Sequence, residues 1–291
     1  MKAGVVYPQI ELGGDTGAVK AFAQAAEDLG YDHILIYDHV LGAEHAGREP
    51  KLTGPYKHTD PFHEPLVTYA YLAGVTRRLE LATGVIILPQ RQTVLLAKQA
   101  ADVDLFSDGR LRLGVGVGWN WVEFDGLEMS GHFRRRGKRQ EQQIALMRKL
   151  WEQPLVIHED SDHKIDRAAI LPRPKRKIPI WLGGFNEVAY DRAARIADGF
   201  IFSGRAQTEA VRIKARIEAQ LVALGRDGDD FGFESIQQYT RGDNQWPGDI
   251  KTWRDAGGSH ISIVTMGANL TTVDAHIEAI KRWREVYNAV G

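Results

Sequence analysis

The sequence predicts an α/β fold of the (β/α)8 type, a TIM barrel with insertion segments at its carboxyl-terminal face. Short β-rich apolar runs alternate with longer stretches of helical periodicity, as repeated strand–helix units around a parallel sheet require. Eight such runs can be counted, at residues 3–7, 33–37, 79–87, 110–117, 178–183, 199–202, 231–239 and 260–266. The 291 residues and 43% hydrophobic content suit one barrel, which takes about 250 residues. A single domain over 1–291 is the reading, with a doubly wound sheet as the alternative architecture.

The first run, Ala3-Gly4-Val5-Val6-Tyr7, leads to a helix over 17–29 in which Val19, Phe22, Ala26 and Leu29 recur at three- and four-residue spacing. The second ends in Ile34-Leu35-Ile36-Tyr37 and is followed by an irregular stretch, 40–64, broken by Gly42, Gly47, Pro50, Gly54, Pro55 and Pro61. Barrel loops usually run to about six residues, and this one leaves the carboxyl end of a strand, where barrel enzymes place their chemistry. It is expected to be a substrate lid. The third run passes through Thr83-Gly84-Val85 to Leu88-Pro89-Gln90-Arg91 and the segment Leu95-Leu96-Ala97-Lys98-Gln99. The fourth exits through Gly114-Val115-Gly116-Val117-Gly118-Trp119-Asn120. A helix over 139–151 is marked by Ile144, Met147 and Trp151. After it, 154–177 reads as a small hairpin turning at Asp160-Ser161-Asp162, then an extended connector carrying Pro172 and Pro174. The fifth run opens Pro179-Ile180-Trp181-Leu182-Gly183-Gly184, the sixth ends in Phe202-Ser203-Gly204-Arg205, and the turn Asp255-Ala256-Gly257-Gly258 precedes the last.

A net charge of -1 and an isoelectric point near 6.8 offer no global attraction for nucleic acid or acidic membranes, so small molecules are the expected partners. The absence of cysteine excludes disulfides, zinc–thiolate sites and thiol nucleophiles, and suits a reducing compartment. The opening Met1-Lys2-Ala3-Gly4-Val5 carries no secretory hydrophobic region, and no window reaches about 18 apolar residues, so a cytoplasmic location is expected.

His39 follows the second run, where a barrel would place its imidazole at the mouth. A histidine titrates near neutral pH and can take a proton from an alcohol as a hydride leaves, or it can simply hold a loop. Asp38 is placed either to orient it or to contact a cofactor, although adjacent strand residues point to opposite faces. The glycines 114, 116 and 118 lack dinucleotide-fingerprint spacing, yet let the backbone approach a ring or phosphate closely, with tight packing as the plain alternative. Gly183 and Gly184 lead into a helix start, where exposed N–H groups attract phosphate, with an ordinary turn as the plain alternative; Ser203 and Arg205 add donors to the same anion, or Arg205 sits on a solvated loop.

Other patterns carry less. The stretch 131–138 matches a P-loop only superficially. His58, Asp60, His63 and Glu64 fit no standard metal-ligand spacing. The run His158-Glu159-Asp160-Ser161-Asp162-His163 reads as a solvated hairpin turn, and no metal is expected at either place. Arg134-Arg135-Arg136-Gly137-Lys138-Arg139 reads as a solvated basic face, with binding of an acidic cofactor tail as the lesser alternative.

The segments 95–104, 109–119 and 179–184, with Ala197-Asp198-Gly199-Phe200, resemble the luciferase-like monooxygenase superfamily, and within it the branch of oxidoreductases dependent on the deazaflavin coenzyme F420. The likeness covers nearly the whole chain. It implies a TIM barrel that binds F420 at the carboxyl end, with a non-prolyl cis peptide at Gly84–Val85 bulging against the cofactor ring. It implies His39 beside the reactive ring and phosphate-binding backbone at Gly183 and Gly184; the residues read on their own add expected cofactor contacts from Asp38, Gly116, Val117, Gly118, Ser203 and Arg205. Trp119 and Asn120 would shape the substrate pocket, and a homodimer is implied. The chain departs from the sugar-phosphate dehydrogenases of that branch, lacking a tryptophan soon after His39 and carrying Trp119 and Asn120 near an expected acidic residue, which argues against glucose 6-phosphate. It departs from true luciferases in carrying Val117 where they place an arginine for the flavin phosphate. An FMN-dependent monooxygenase, or a non-catalytic flavin- or deazaflavin-binding protein, is the alternative function.

Overall fold

The computed structural model describes residues 1–226 and 230–290. Strands β1 (Lys2–Val6), β2 (His33–Ile36), β3 (Glu80–Thr83), β4 (Ile86–Ile87) and β5 (Leu111–Gly116) are followed by an antiparallel hairpin, β6 (Val156–Glu159) and β7 (Lys164–Ala168). Then come β8 (Ile180–Gly183), β9 (Gly199–Phe202), β10 (Gly232–Gln238) and β11 (His260–Val264). All pairings outside the hairpin are parallel, in the order β3-β2-β1-β11-β10-β9-β8-β5-β4, and β3 also pairs β5 and closes the circle. This is the (β/α)8 barrel; the doubly wound alternative would have left two open edges. The expected third strand, 79–87, is split into β3 and β4 at a cis Gly84–Val85 peptide.

The helices are α1 (Gln9–Leu12), α2 (Thr16–Asp28), α3 (Pro65–Val75), α4 (Thr93–Phe106), α5 (Trp121–Gly126), α6 (Arg136–Glu152), α7 (Glu187–Ile196), α8 (Gln207–Ala223), α9 (Trp246–Asp255) and α10 (Val273–Ala289). The start of α2 is set by Asp15, whose carboxylate accepts from Gly17 N at 2.9 Å and Ala18 N at 3.2 Å. Its Val19, Phe22 and Ala26 are buried against the barrel, as their spacing requires. No helix or strand forms between 37 and 64, in keeping with the glycines and prolines there. Among the described residues no helix is long and apolar enough to cross a membrane.

The period of two along each strand decides what fills the barrel. Val6, Leu35, Ala82, Trp181, Ile201, Ile236 and Val264 form the interior apolar cluster, while Val5, Ile34, Leu81 and Phe200, one residue away, pack outward against helices. Two residues earlier on the same inner faces stand His33, Glu80 and Glu234, with Arg112 and Ser262 beside them. Arg112 binds Glu80 at 2.5 Å and Glu234 at 2.6 Å, and His33 Nε2 lies 2.7 Å from Glu234. Burial pushes the Glu80 carboxyl up, but Arg112 and His33 more than offset this and bring it down to about 2. Two residues later the same inner faces reach the carboxyl-terminal mouth at Tyr37, Gly116, Gly183 and Ser203.

Candidate functional site

The mouth is a cavity of about 640 Å³. Its floor is the Gly84–Val85 peptide, and Val85 rises between two strand ends that carry no side chain. A Cβ on Gly116 would stand 2.6 Å from one Val85 methyl, and a Cβ on Gly183 would stand 3.0 Å from the other. Gly118 turns the chain away with φ of +74°, and a Cβ there would lie 2.5 Å from Ile87. Val117, Gly184, Trp119 and Ser203 also line the cavity. Gly184 leads to Asn186, which caps α7 by accepting from Ala189 N at 3.0 Å and leaves the first helical N–H groups without intrahelical partners. These glycines and donors fit a flat ring over Val85 with an anionic group at the start of α7.

His39 continues the inner parity of His33, Leu35 and Tyr37, and its ring lies on the cavity wall. Tyr56, Phe62 and Trp119 meet it edge-to-face at 5.2, 4.9 and 5.7 Å between ring centres. Tyr56 and Phe62 come from the 40–64 segment, which thus covers the histidine, and Gly54 of that segment packs flat on Trp119. Burial pushes the Tyr56 phenol up to about 12. The Tyr37 phenol is pushed up further by burial.

His39 Nδ1 lies 3.3 Å from Glu123 Oε2. Glu123 Oε1 accepts from Val40 N at 2.6 Å and Leu41 N at 3.1 Å. Burial pushes the Glu123 carboxyl up, but His39 and these two backbone donors outweigh it and hold the group below its usual range. An ionised acceptor on Nδ1 puts the imidazole proton there and leaves Nε2 as a proton acceptor. Sequence reasoning missed Glu123. It stands three residues after Asn120, the spacing of a capping box, in which a glutamate folds back on its own helix.

Asp38 lines the same cavity but does not orient His39. Its carboxylate is engaged by Arg91 at 2.6 Å and Ile87 N at 2.8 Å, and Arg91 also binds Glu64 at 2.7 Å. Burial pulls the Arg91 guanidinium down, and the two carboxylates more than offset that and hold it above its ordinary value. This chain of charges ties the end of the 40–64 segment to β2 and β4. Asn120 does not line the pocket: it is 3% exposed, accepts from Glu123 N at 3.3 Å and donates to Leu41 O at 3.3 Å. Arg205 lines a separate cavity of about 350 Å³ and is held by Glu209 and the Tyr190 hydroxyl.

The acidic turn is solvated only in part: Glu159 and Ser161 are exposed, while the histidines and Asp160 turn inward. His158 and His163 both bond Asp160, at 2.9 and 3.0 Å, and His163 reaches Thr93 at 2.7 Å, so the hairpin is clasped onto α4. These three residues place their ligand atoms within 4.8 Å of one another, but each ring nitrogen already has a partner, and the Lys149 ammonium lies 3.3 Å from His158 Nδ1. Of the basic run, Arg135 and Arg139 are bound to Asp162, and Arg139 is 4% exposed, so the run is only in part a solvated face. Arg134 and Arg136 line the main cavity.

A parallel barrel whose mouth holds a glycine-lined floor, a non-prolyl cis peptide and a carboxylate-held histidine defines the class. The chain belongs to the luciferase-like monooxygenase family, whose model matches residues 3–243. An uncharacterised protein of Mycobacterium tuberculosis is 33% identical over 67% of this chain and 68% of its own length. An F420-dependent glucose-6-phosphate dehydrogenase of Amycolatopsis mediterranei is 30% identical over 62% of this chain and 51% of its own. An FMNH2-dependent dimethylsulfone monooxygenase of Pseudomonas fluorescens is 26% identical over 77% and 60%. The solved F420-dependent secondary alcohol dehydrogenase, bound to an F420–acetone adduct, superposes with a TM-score of 0.79 over 98% of both chains at 13% identity, a likeness of fold.

Proposed function

We propose that the protein is an F420-dependent oxidoreductase acting on a small organic alcohol or carbonyl compound with an apolar body. The observation that carries this reading is His39, held by Glu123 at Nδ1 and walled by Tyr56, Phe62 and Trp119 above the Val85 floor. When bound, the deazaflavin supplies a hydride acceptor at C5. Gly116, Gly183 and Val85 seat the ring, and Gly184 with the first turn of α7 receives the phosphate. His39 Nε2 takes the hydroxyl proton of an alcohol as the hydride leaves its carbon, giving a carbonyl product, and returns the proton in the reverse direction. Glu123 stabilises the imidazolium that forms. The three aromatic rings exclude water and favour an apolar substrate over a sugar. Carboxylates near the proton acceptor are all tied within the protein, and Asp38 serves to anchor the covering segment.

Titration of the protein with oxidised F420 and separately with FMN tests the assignment. Clearly tighter F420 binding and hydride exchange with a secondary alcohol are expected; preference for FMN would overturn it. The FMNH2-dependent relative supports a second reading, an FMN-dependent monooxygenase. Oxygen consumption with reduced FMN would favour that one.

A further inference from the structure

We propose that Arg134 and Arg136, with Arg192 beside them, form a cationic exit from the cavity that binds a chain of carboxylates continuing from the cofactor phosphate. This deepens the F420 reading and rests on it, because an oligoglutamate tail is what separates that coenzyme chemically from FMN. The other arginines near the mouth and within the barrel, Arg91, Arg112, Arg135 and Arg139, all meet carboxylates. The rim differs. Arg134 is exposed and makes no hydrogen bond or ion pair with any described residue. Arg136 donates only to carbonyls, Gly118 O at 3.1 Å and Phe133 O at 2.7 Å, with its guanidinium 4.3 Å from the Phe133 ring centre. Burial pulls the Arg136 guanidinium down with no acid to hold it up.

Arg192 is shared. Its Nε binds Glu141 at 2.9 Å, and its far end lies where a Cβ on Gly137 would stand 2.4 Å from Nη2. Gly137 therefore leaves room for Arg192, on α7, to reach the first turn of α6. The phosphate of either cofactor has the Gly184 and α7 donors and needs none of these arginines. Arg134 and Arg136, neither paired with a carboxylate among the described residues, both lie at the cavity rim, and a basic cluster at the start of α6 opposes the helix dipole unless an anion answers it. A half-buried cation without an anion is unfavourable for the free protein and favourable for an acidic ligand.

The test measures affinity by fluorescence for F420 carrying several glutamates, for the same deazaflavin phosphate without glutamates, and for FMN. The wild-type protein should bind the tailed form roughly ten-fold more tightly than the tail-less one, the sum of two exposed ion pairs. That advantage should disappear in Arg134→Gln/Arg136→Gln and at high salt. Arg134→Gln alone, which breaks no internal bond, should remove about three-fold of it. Equal binding of the two deazaflavins by wild type would overturn the inference and leave the F420 reading standing. An equal loss of FMN affinity in the double variant would overturn it too, by showing that the arginines hold a phosphate. Binding of FMN with neither deazaflavin bound would instead overturn the F420 reading, and this inference with it.

Discussion

Replacing Glu123 by Gln keeps the volume and removes the charge, and the partners of this one side chain dictate the outcome. Oε1 accepts from Val40 N at 2.6 Å and Leu41 N at 3.1 Å, and Oε2 faces His39 Nδ1 at 3.3 Å. Two backbone donors need an acceptor, so the amide oxygen must stay on them and the amide –NH2 must turn to His39. It then donates to Nδ1, the imidazole proton moves to Nε2, and the nitrogen left for substrate can no longer take a proton. In serine proteases the equivalent carboxylate-to-amide change costs about 10⁴ in kcat through the same tautomer error. At 3.3 Å the hold on His39 is looser, so a loss of about 10² to 10³ in kcat is expected, within the range of general acid–base catalysis.

Stability should fall as well. Two charge-assisted bonds become neutral ones, a difference of about 1 kcal/mol each, or about 2 kcal/mol in all. For a chain of this size that lowers Tm by roughly 3 °C. The assay is kcat and KM against pH for both proteins, with F420 affinity and Tm measured alongside. Turnover within about three-fold of wild type and an unchanged pH profile would refute the orienting role, whatever happened to Tm.

His39→Ala should depress kcat by about 10² to 10⁴ while F420 affinity changes by less than about three-fold; unaltered turnover would remove His39 from the mechanism. Gly116→Ala places a Cβ 2.6 Å from Val85 and should weaken cofactor binding by about ten-fold or more, measured by titration, whereas unchanged affinity would mean that no ring rests on Val85. Acid should unfold the protein through its barrel floor. Burial and the neighbouring Arg112 and His33 bring His260 down to about 3, so its stabilisation is complete above the unfolded histidine value near 6.5 and is lost as pH falls through 3. Glu80, held at about 2, adds a second loss below the unfolded value near 4.3. Each group contributes a slope of up to about 1.4 kcal/mol per pH unit in its window, and His260→Asn should flatten the upper part of the curve. A stability flat from pH 7 to pH 4 would contradict this.

The alternation of apolar runs and helical spacing carried the barrel because both periods are imposed by geometry that each strand or helix obeys alone. The same period of two placed His39 toward the mouth; Asp38, its neighbour beyond the strand end, lines the same cavity. It also identifies Gly116, Gly183 and Ser203 as mouth residues once His33, Leu35 and Trp181 are known to face inward. The cis peptide at Gly84–Val85 was implied by family resemblance alone; nothing in those two residue types requires it. Arg205 and Asn120 were legible as residue types near the right strand ends, but their partners were not. Glu209 is one helical turn from Arg205, and the Asn120 side chain is taken by the helix it starts.

Glu123 shows why a site residue can be invisible in its own neighbourhood. Locally, Asn120-Trp121-Val122-Glu123 is a helix start with a capping glutamate, and the cap residue does bond Glu123 N as that pattern predicts. What diverts the carboxylate lies 83 residues away in the chain, in the Val40 N–H that begins a stretch with no helix or strand to accept it. A backbone donor leaving a strand needs an acceptor, and an irregular segment must find it elsewhere. The signal for an orienting acid is thus the unmet demand of the loop following the candidate histidine, and it becomes readable only when the barrel brings the exits of β2 and β5 together. One carboxylate then fixes both the tautomer of His39 and the root of the segment that covers it, so proton acceptance and cover formation cannot be altered independently at this position.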